Sequence, residues 1–214
     1  MKQQVILIGA GGHCKIIIES LDTDRFEIIG IIDSFTPKGT FICDIPVIGT
    51  DDDAEKIFKQ GVHLAIVTIV GNLKLRRSLL DKYRKIGFHF PSVIHKTCHI
   101  SSSAILGNGI TVLANACINA EAKLDDFVTI NTGAIIEHEV YVEENSHIAP
   151  GAVILGGSRI GKESMVGAGS TVLQQVVIGN YCMIGAGSVV LKNIGCGVTA
   201  YGNPAKEKIE SRVI

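Results

Sequence analysis

The sequence predicts two unlike parts, a small doubly wound, Rossmann-like α/β domain over residues 1–90 and an all-β parallel β-helix over residues 91–214. Three observations predict them. From residue 94 onward Ile, Leu or Val recurs at every sixth position without interruption. Before residue 90, short apolar runs alternate with helix-like segments. Glycine is abundant at 24 residues, aromatics reach only 5%, Trp is absent, and Ile, Val and Leu supply 64 of 214 residues. That recipe suits narrow, regular β-architecture, where β-branched side chains stack on pleated surfaces and glycines serve the corners.

In the first part, an apolar run over residues 5–8 meets Gly9-Ala10-Gly11-Gly12-His13, followed by a helix-like segment over 14–21. A second strand over 27–32 ends at Asp33. A helix over 51–59, a strand over 63–69, Gly71-Asn72 and a helix over 73–85 come next, and Phe88 leads into Pro91, the predicted seam. Strands alternating with helices indicate the doubly wound class. A glycine-rich turn between a first strand and a helix leaves backbone N–H groups at a positive helix end, which suits a phosphate. The fingerprint G-x-G-x-x-G would need glycine where Cys14 stands, so a complete NAD site is not expected. Asp33 can accept from a ribose hydroxyl, and His13 offers a donor at the helix start. The alternative for Gly9, Gly11 and Gly12 is a tight turn with no ligand, and for His13 an incidental histidine.

The second part opens on the repeat. Its positions are residues 94, 100, 106 and so on at a spacing of six to 190, seventeen in all. By chance such a run has odds of roughly one in a billion. Four residues after most of them stands a small residue, among them Ala116, Ala122, Ala134, Ser146, Ala152, Ser164 and Ser170. This is the hexapeptide signature of a parallel β-helix, in which six residues make one flat side and three sides close a triangular coil. Residues eighteen apart therefore stack, and nearly six coils at ~4.8 Å make a prism about 27 Å tall. The register has no insertion, so a binding site must use the faces, the edges or a neighbouring subunit.

Two histidines of the repeat draw attention. In Ile136-Glu137-His138-Glu139-Val140-Tyr141 the inward positions are Ile136 and Val140, so His138 projects outward from the predicted strand. Glu137 and Glu139 can receive its ring N–H, fix the tautomer and make it a general base. The competing reading is a solvated charged face carrying a chance histidine. The other histidine is His147. Val166-Gly167-Ala168-Gly169 and Ile184-Gly185-Ala186-Gly187 lie eighteen apart and stack into a track without bulky side chains, along which the amide-bearing pantetheine arm of coenzyme A could lie. Sharp prism corners alone would also explain them.

Composition narrows the function classes. Twenty Lys plus Arg against 21 Asp plus Glu leaves no global field to hold nucleic acid or an anionic membrane. The six cysteines show no C-x-x-C spacing and read as reduced thiols. The first apolar run is too short for a signal segment and no run approaches a membrane span, so membrane insertion is not expected and the default address is cytoplasmic.

Taken together, Gly9-Ala10-Gly11-Gly12-His13, Asn131-Thr132 with Ile136-Glu137-His138-Glu139, Ser146-His147 and Gly202-Asn203-Pro204-Ala205-Lys206 resemble the bacterial sugar acyltransferases of the sialic acid O-acetyltransferase type. That group includes UDP-amino-sugar N-acetyltransferases. The resemblance implies a left-handed β-helix and a homotrimer with acetyl-CoA sites between adjacent prisms, needing no metal. It implies His138 as general base and Glu139 as the carboxylate that raises its basicity. By the same likeness His147, Ala168 and Ala186 contact acetyl-CoA, while Gly11, Gly12, His13, Asp33, Gly71 and Asn131 contact the nucleotide sugar. This chain has Ser34 where amino-sugar members often carry a second acidic residue, which leaves the nucleotide sugar unspecified.

The expected reaction is acetyl transfer from acetyl-CoA to a nucleotide-activated amino sugar, a UDP-4-amino sugar first, in bacterial glycan biosynthesis. O-acetylation of sialic acid or another sugar is the alternative. A γ-type carbonic anhydrase would need three histidines around zinc, and no H-x-x-x-x-H spacing occurs among the histidines of the coils. A non-catalytic trimer that binds a sugar nucleotide is the alternative of another class.

Overall fold

The computed structural model describes residues 2–208 and divides into two compact units, Met1–His95 and Lys96–Ile214.

In the first unit β1 (Gln3–Ile8) pairs in parallel with β2 (Phe26–Ile32) on one side and β5 (Leu64–Val67) on the other. A hairpin of β3 (Phe41–Ile42) and β4 (Ile45–Gly49) extends the sheet beyond β2, giving the order β3-β4-β2-β1-β5. Val5 to Ile8 are all buried, as expected for a parallel strand covered on both faces. The hairpin is absent from the sequence reading. Its two turn residues, Cys43 and Asp44, have φ of 45° and 64°, the geometry that usually advertises itself as Asn-Gly. The helix predicted over 51–59 is a 3-10 turn (Asp51–Asp53) running into α2 (Ala54–Lys59). Thr50 caps this turn, and the Asp53 carboxylate accepts the Thr50 N–H at 3.0 Å.

The strand order matters for the site. After β1 the chain moves outward to β2 and the hairpin, then returns to the opposite side of β1 to lay down β5. The carboxyl ends of β1 and β5 therefore flank a topological switch point, where open α/β sheets bind ligands. Beside it start α1 (Gly12–Ser20) after β1 and α3 (Leu73–Ile86) after β5. The fifth strand ends at Val67 rather than at 69, and Thr68, the next residue, still donates its N–H to the Ile8 carbonyl at 2.9 Å. Its hydroxyl bonds the Ile8 and Gly9 carbonyls at 3.0 and 2.6 Å, fastening one loop to the other.

In the second unit two-residue strands run from His99–Ile100 to Val189–Val190, each ending on a repeat position, and the first repeat position, Ile94, closes Val93–Ile94 in the first unit. Strands eighteen residues apart pair in parallel, as in Ile118↔Ile136, Ile136↔Ile154 and Ile154↔Val172. The inward side chains from Ile118 to Ile184 are buried in one column of aliphatic residues. The slim second inward position is also buried, and its serines bond to backbone. Ser146, Ser164 and Ser170 donate to the carbonyls of Gly161, Gly179 and Gly185 at 2.8, 2.8 and 2.9 Å. A buried hydroxyl is tolerated here because each finds a partner.

Every sixth residue from Gly109 to Gly187 has a left-handed φ, between 52° and 67°. These residues turn the corners. Many are not glycine: Asn115, Glu121, Phe127, Glu139, Asn145, Glu163, Gln175 and Tyr181 all adopt it. The sequence did not announce this row, because a hydrogen-bonded ladder above and below each corner overrides a modest local preference.

Candidate active site

His138 and Glu139 occupy the corner that follows the strand Ile135–Ile136. Sequence periodicity had set His138 on a strand. The strands are only two residues long, so the third residue of each unit begins a turn instead. Two backbone bonds clamp this corner, Glu139 N–H to the Ala120 carbonyl at 3.0 Å and Gly157 N–H to the His138 carbonyl at 2.9 Å. The left-handed φ of 60° at Glu139 accompanies a side chain whose Oε2 lies 3.0 Å from His138 Nδ1. An ionised carboxylate can only accept, so the neutral form of the ring is the tautomer with its proton on Nδ1 and its lone pair on Nε2. The hydrogen bond goes to Glu139 and not to Glu137, the other carboxylate considered from the sequence.

Gly156 is the residue that sequence reasoning missed. It stacks over His138 in the next coil, and a Cβ built on it would lie 2.5 Å from the ring's Nε2. The imidazole can lie where it does only because position 156 has no side chain. Gly156 N–H donates to no atom among the described residues. Around the pair an open groove of about 440 Å³ is lined by Glu137, Leu155, Gly157, Gln174 and Gln175.

The other predicted residues of the prism fall elsewhere on it. Ala168 and Ala186 are exposed and stack on one corner column with Thr132 and Pro150, tied by bonds such as Gly187 N–H to the Ala168 carbonyl at 2.8 Å. His138 belongs to a different column, with Ala120, Gly156 and Gln174. Strands such as Val153–Ile154 run from the first column to the second, so a full prism face separates the two. Asn131 and His147 are brought together on the neighbouring face. Asn131 Oδ1 accepts the Thr132 N–H at 2.8 Å, which turns its Nδ2 toward His147 Nε2 at 3.1 Å. This makes Nε2 of His147 the acceptor. Both side chains are buried, with 5% and 3% exposed.

In the first unit Gly11, Gly12 and Gly71 all border open space, with no atom within 4 Å of a Cβ built on any of them. Gly11 is the N-cap of α1 and no side chain caps that helix, so its amino end is left for a ligand or water. His13 lies in the first turn. Burial, and then the positive charge of Arg76, hold its pKa down at about 4, so at neutral pH it can serve only as an uncharged donor or acceptor.

Asp33 is more occupied than the sequence implied. Its Oδ2 accepts the Ala10 N–H at 2.8 Å and its Oδ1 accepts those of Phe35 and Thr36 at 2.8 and 2.7 Å. Burial alone would raise its pKa, but these N–H groups outweigh burial and hold the carboxyl below its ordinary value. Of about four lone-pair positions on a carboxylate three are taken by backbone, and the Thr36 side chain competes for the rest, so little is left for a ribose hydroxyl. Asp33→Ala is therefore expected to lower the melting temperature of the first unit, by about 1–3 kcal/mol of stability, besides raising the nucleotide-sugar KM. Differential scanning calorimetry that finds the variant as stable as the parent would refute the structural part.

A search of curated protein sequences finds no match. The family model for the PglD N-terminal domain matches residues 4–83, and that for the bacterial transferase hexapeptide (six repeats) matches residues 157–192. Among solved structures, the chain is similar to GDP-perosamine N-acetyl transferase from Caulobacter crescentus, crystallised as a histidine-to-alanine mutant with CoA and GDP-perosamine. Identity is 34%, 97% of each chain is covered, and the TM-score is 0.92. The chain belongs to the hexapeptide-repeat sugar N-acetyltransferases. This acetyltransferase is also similar to the acetyltransferase domain of PglB from Neisseria gonorrhoeae, at 35% identity and TM-score 0.90 over 97% of this chain and 100% of that one. WeeI from Acinetobacter baumannii, at 24% identity and TM-score 0.85 over 97% of this chain and 100% of that one, shares the fold. Among the described residues the acetyltransferase has no group of three or more His, Cys, Asp or Glu that could hold a metal ion. No described helix is long and apolar enough to cross a membrane.

Proposed function

We propose that this chain transfers the acetyl group of acetyl-CoA to the amine of a nucleotide-activated amino sugar, in bacterial glycan biosynthesis and in the cytoplasm. The observation that carries the reading is the His138–Glu139 pair, held at 3.0 Å over a side-chain-free corner in an open groove. Relatives support the substrates: GDP-perosamine N-acetyl transferase binds CoA and GDP-perosamine, and the PglB domain binds acetyl coenzyme A. Free thiols at all six cysteines suit a reducing compartment.

In this mechanism the sugar amine attacks the thioester carbonyl carbon. His138 Nε2 takes the amine proton as the C–N bond forms, because an ammonium has no lone pair to attack with. Glu139 holds the ring in the tautomer that leaves Nε2 free. The tetrahedral intermediate carries negative charge on oxygen, and a backbone N–H of the corner column, Gly156 first, stands as its donor. Collapse breaks the C–S bond, the thiolate leaves and takes the proton from His138, and the amide remains. No enzyme nucleophile is consumed, so the rest of the acceleration is positioning. The first unit selects the sugar nucleotide through Gly11, Gly12, His13, Asp33 and Gly71, and the exposed Ala168 and Ala186 line the track for acetyl-CoA, while the buried Asn131–His147 pair acts from behind the neighbouring face, Asn131 toward the sugar and His147 toward acetyl-CoA.

Turnover of acetyl-CoA against UDP-, GDP- and CMP-sugars bearing free amines or free hydroxyls tests the reading. Amine acceptors should react and hydroxyl acceptors should not. Acetyl-CoA binding with no transfer to any sugar would overturn it.

The separation of the Ala168–Ala186 column from His138 supports a homotrimer in which one copy's column faces its neighbour's base. The protein is expected to sediment as a trimer. Mixed and reassembled trimers of His138→Ala with Ala186→Trp should regain part of the activity that each lacks alone, since some interfaces then join two intact halves. An active monomer, or mixtures no better than their parts, would count against a shared site.

A further inference from the structure

On α3 the residues turned into the first unit are Arg76, Leu79, Leu80 and Tyr83, the i, i+3, i+4, i+7 stripe of an amphipathic helix. Three of the four are what such a stripe calls for. Arg76 is not. It is only 3% exposed, and its Nε and Nη1 are sealed from solvent without a hydrogen-bond partner. No Asp or Glu forms an ion pair with it among the described residues. Burying a guanidinium without an ion-pair partner is strongly unfavourable, a penalty that an apolar side chain in the same stripe would avoid. Burial pushes its pKa down only to about 10, so at neutral pH the charge stays on.

Its position gives that charge a use. Arg76 is the fourth residue of α3, one turn beyond the N-cap Asn72, and α3 starts at the switch point between β1 and β5. Across the crevice the nine-residue α1 presents an amino end without a side-chain cap, beside the open positions Gly11, Gly12 and Gly71. The two helices start from the carboxyl ends of adjacent strands, β1 and β5, which brings Arg76 to the side of the crevice that faces α1, and its charge adds to burial in holding the His13 pKa down. The Thr68 hydroxyl fixes the two loops to each other, so the helix end and the guanidinium keep one spacing. Asp33 is ionised near the same turn, but its oxygens are taken up by the N–H groups of Ala10, Phe35 and Thr36 and it forms no ion pair with Arg76 among the described residues.

We propose that Arg76 is the fixed counter-charge for the diphosphate of the nucleotide sugar, acting from beneath the crevice between the β1 and β5 loops. It rests on the nucleotide-sugar reading above and adds a residue and a ligand group that the glycine turn alone does not specify. With Nε and Nη1 sealed, Arg76 works through space as a positioning charge while the α1 backbone makes the contacts. Because Arg76 itself is shut away from water, its charge is screened less than a surface charge would be, and it favours a diphosphate over the same nucleoside without one.

Isothermal titration of the full-length protein, with saturating CoA to occupy its own site, tests this using GDP, UDP, guanosine, uridine and inorganic pyrophosphate. For the parent, at least one nucleoside diphosphate should bind, and Arg76→Met should weaken it about 30-fold or more while changing its nucleoside less than threefold. Pyrophosphate should weaken in step with the diphosphate. Arg76→Lys, which keeps the charge, should stay within about fivefold of the parent. The melting temperature of Arg76→Met should equal or exceed the parent's, because an unpaired charge leaves the core. Diphosphate affinity unchanged in Arg76→Met, equal losses for nucleoside and diphosphate, a lower melting temperature with Arg76→Lys no better than Arg76→Met, or no diphosphate binding by the parent would each overturn the proposal. Failure of the acetyl-transfer reading would show instead in the turnover panel, which needs no Arg76 variant.

Discussion

Replacing His138 with alanine is expected to lower kcat by about 10²-fold or more and to leave the acetyl-CoA KM nearly unchanged, the signature of a lost general base. The ring is anchored by one hydrogen bond to Glu139, and its side chain is 60% exposed. Its removal therefore leaves neither a cavity nor an orphaned buried group, and the fold should be unaffected. Steady-state kinetics on the parent and the variant decide it. A variant that keeps most of its turnover would remove His138 from the mechanism.

Gly156→Ala is expected to cost nearly as much, for a different reason. The added methyl would sit 2.5 Å from Nε2, so the imidazole must leave. Because that ring is exposed, it can swing outward at little cost, and the melting temperature should barely move. Turnover should nevertheless fall by about 10²-fold, since a base displaced by an ångström or more no longer meets the amine proton. The double variant His138→Ala with Gly156→Ala should be no slower than His138→Ala alone, because the second change acts only through the first residue. Multiplied losses in the double variant would show that the added methyl disturbs more than the imidazole, for instance the path of the ligand along the corner.

Much of this architecture could be read directly from the chain. A period of six is a local pattern, and each buried aliphatic column follows from it once three sides close a coil. The alternation of strands and helices before residue 90 similarly exposed β1, β2, β5 and α3, to within a few residues. What escaped depends on neighbours distant in sequence. The requirement for glycine at 156 comes from a ring eighteen residues earlier, and its own hexapeptide gives no sign of it. The corner row was hidden because residues as unlike as Glu139, Phe127 and Tyr181 fill it. His138 and Glu139 were legible as a pair, but the separation of that pair from Ala168 and Ala186 appears only when corners are counted around the coil. Arg76 offered a signal that could have been used, a cation in register with Leu79, Leu80 and Tyr83 on one helical face. Asp33 was seen as a ligand contact because a carboxylate at a strand end suggests one, while its three backbone partners lie in loops whose paths the sequence does not define.

Stacking at intervals of eighteen makes chain length itself part of the catalytic apparatus. Position 156 lies above 138 by counting alone, so one residue inserted between Glu139 and Leu155 must be thrown out of the coil as a bulge, or else it brings Leu155 over the imidazole and carries every later corner one step around the prism. Eighteen residues added beyond position 174 would instead leave His138, Glu139 and Gly156 in place and simply build a taller column. The molecule is thus free to grow by whole coils at its far end, while the span between its base and the glycine above it tolerates only changes that leave the coil itself eighteen residues long.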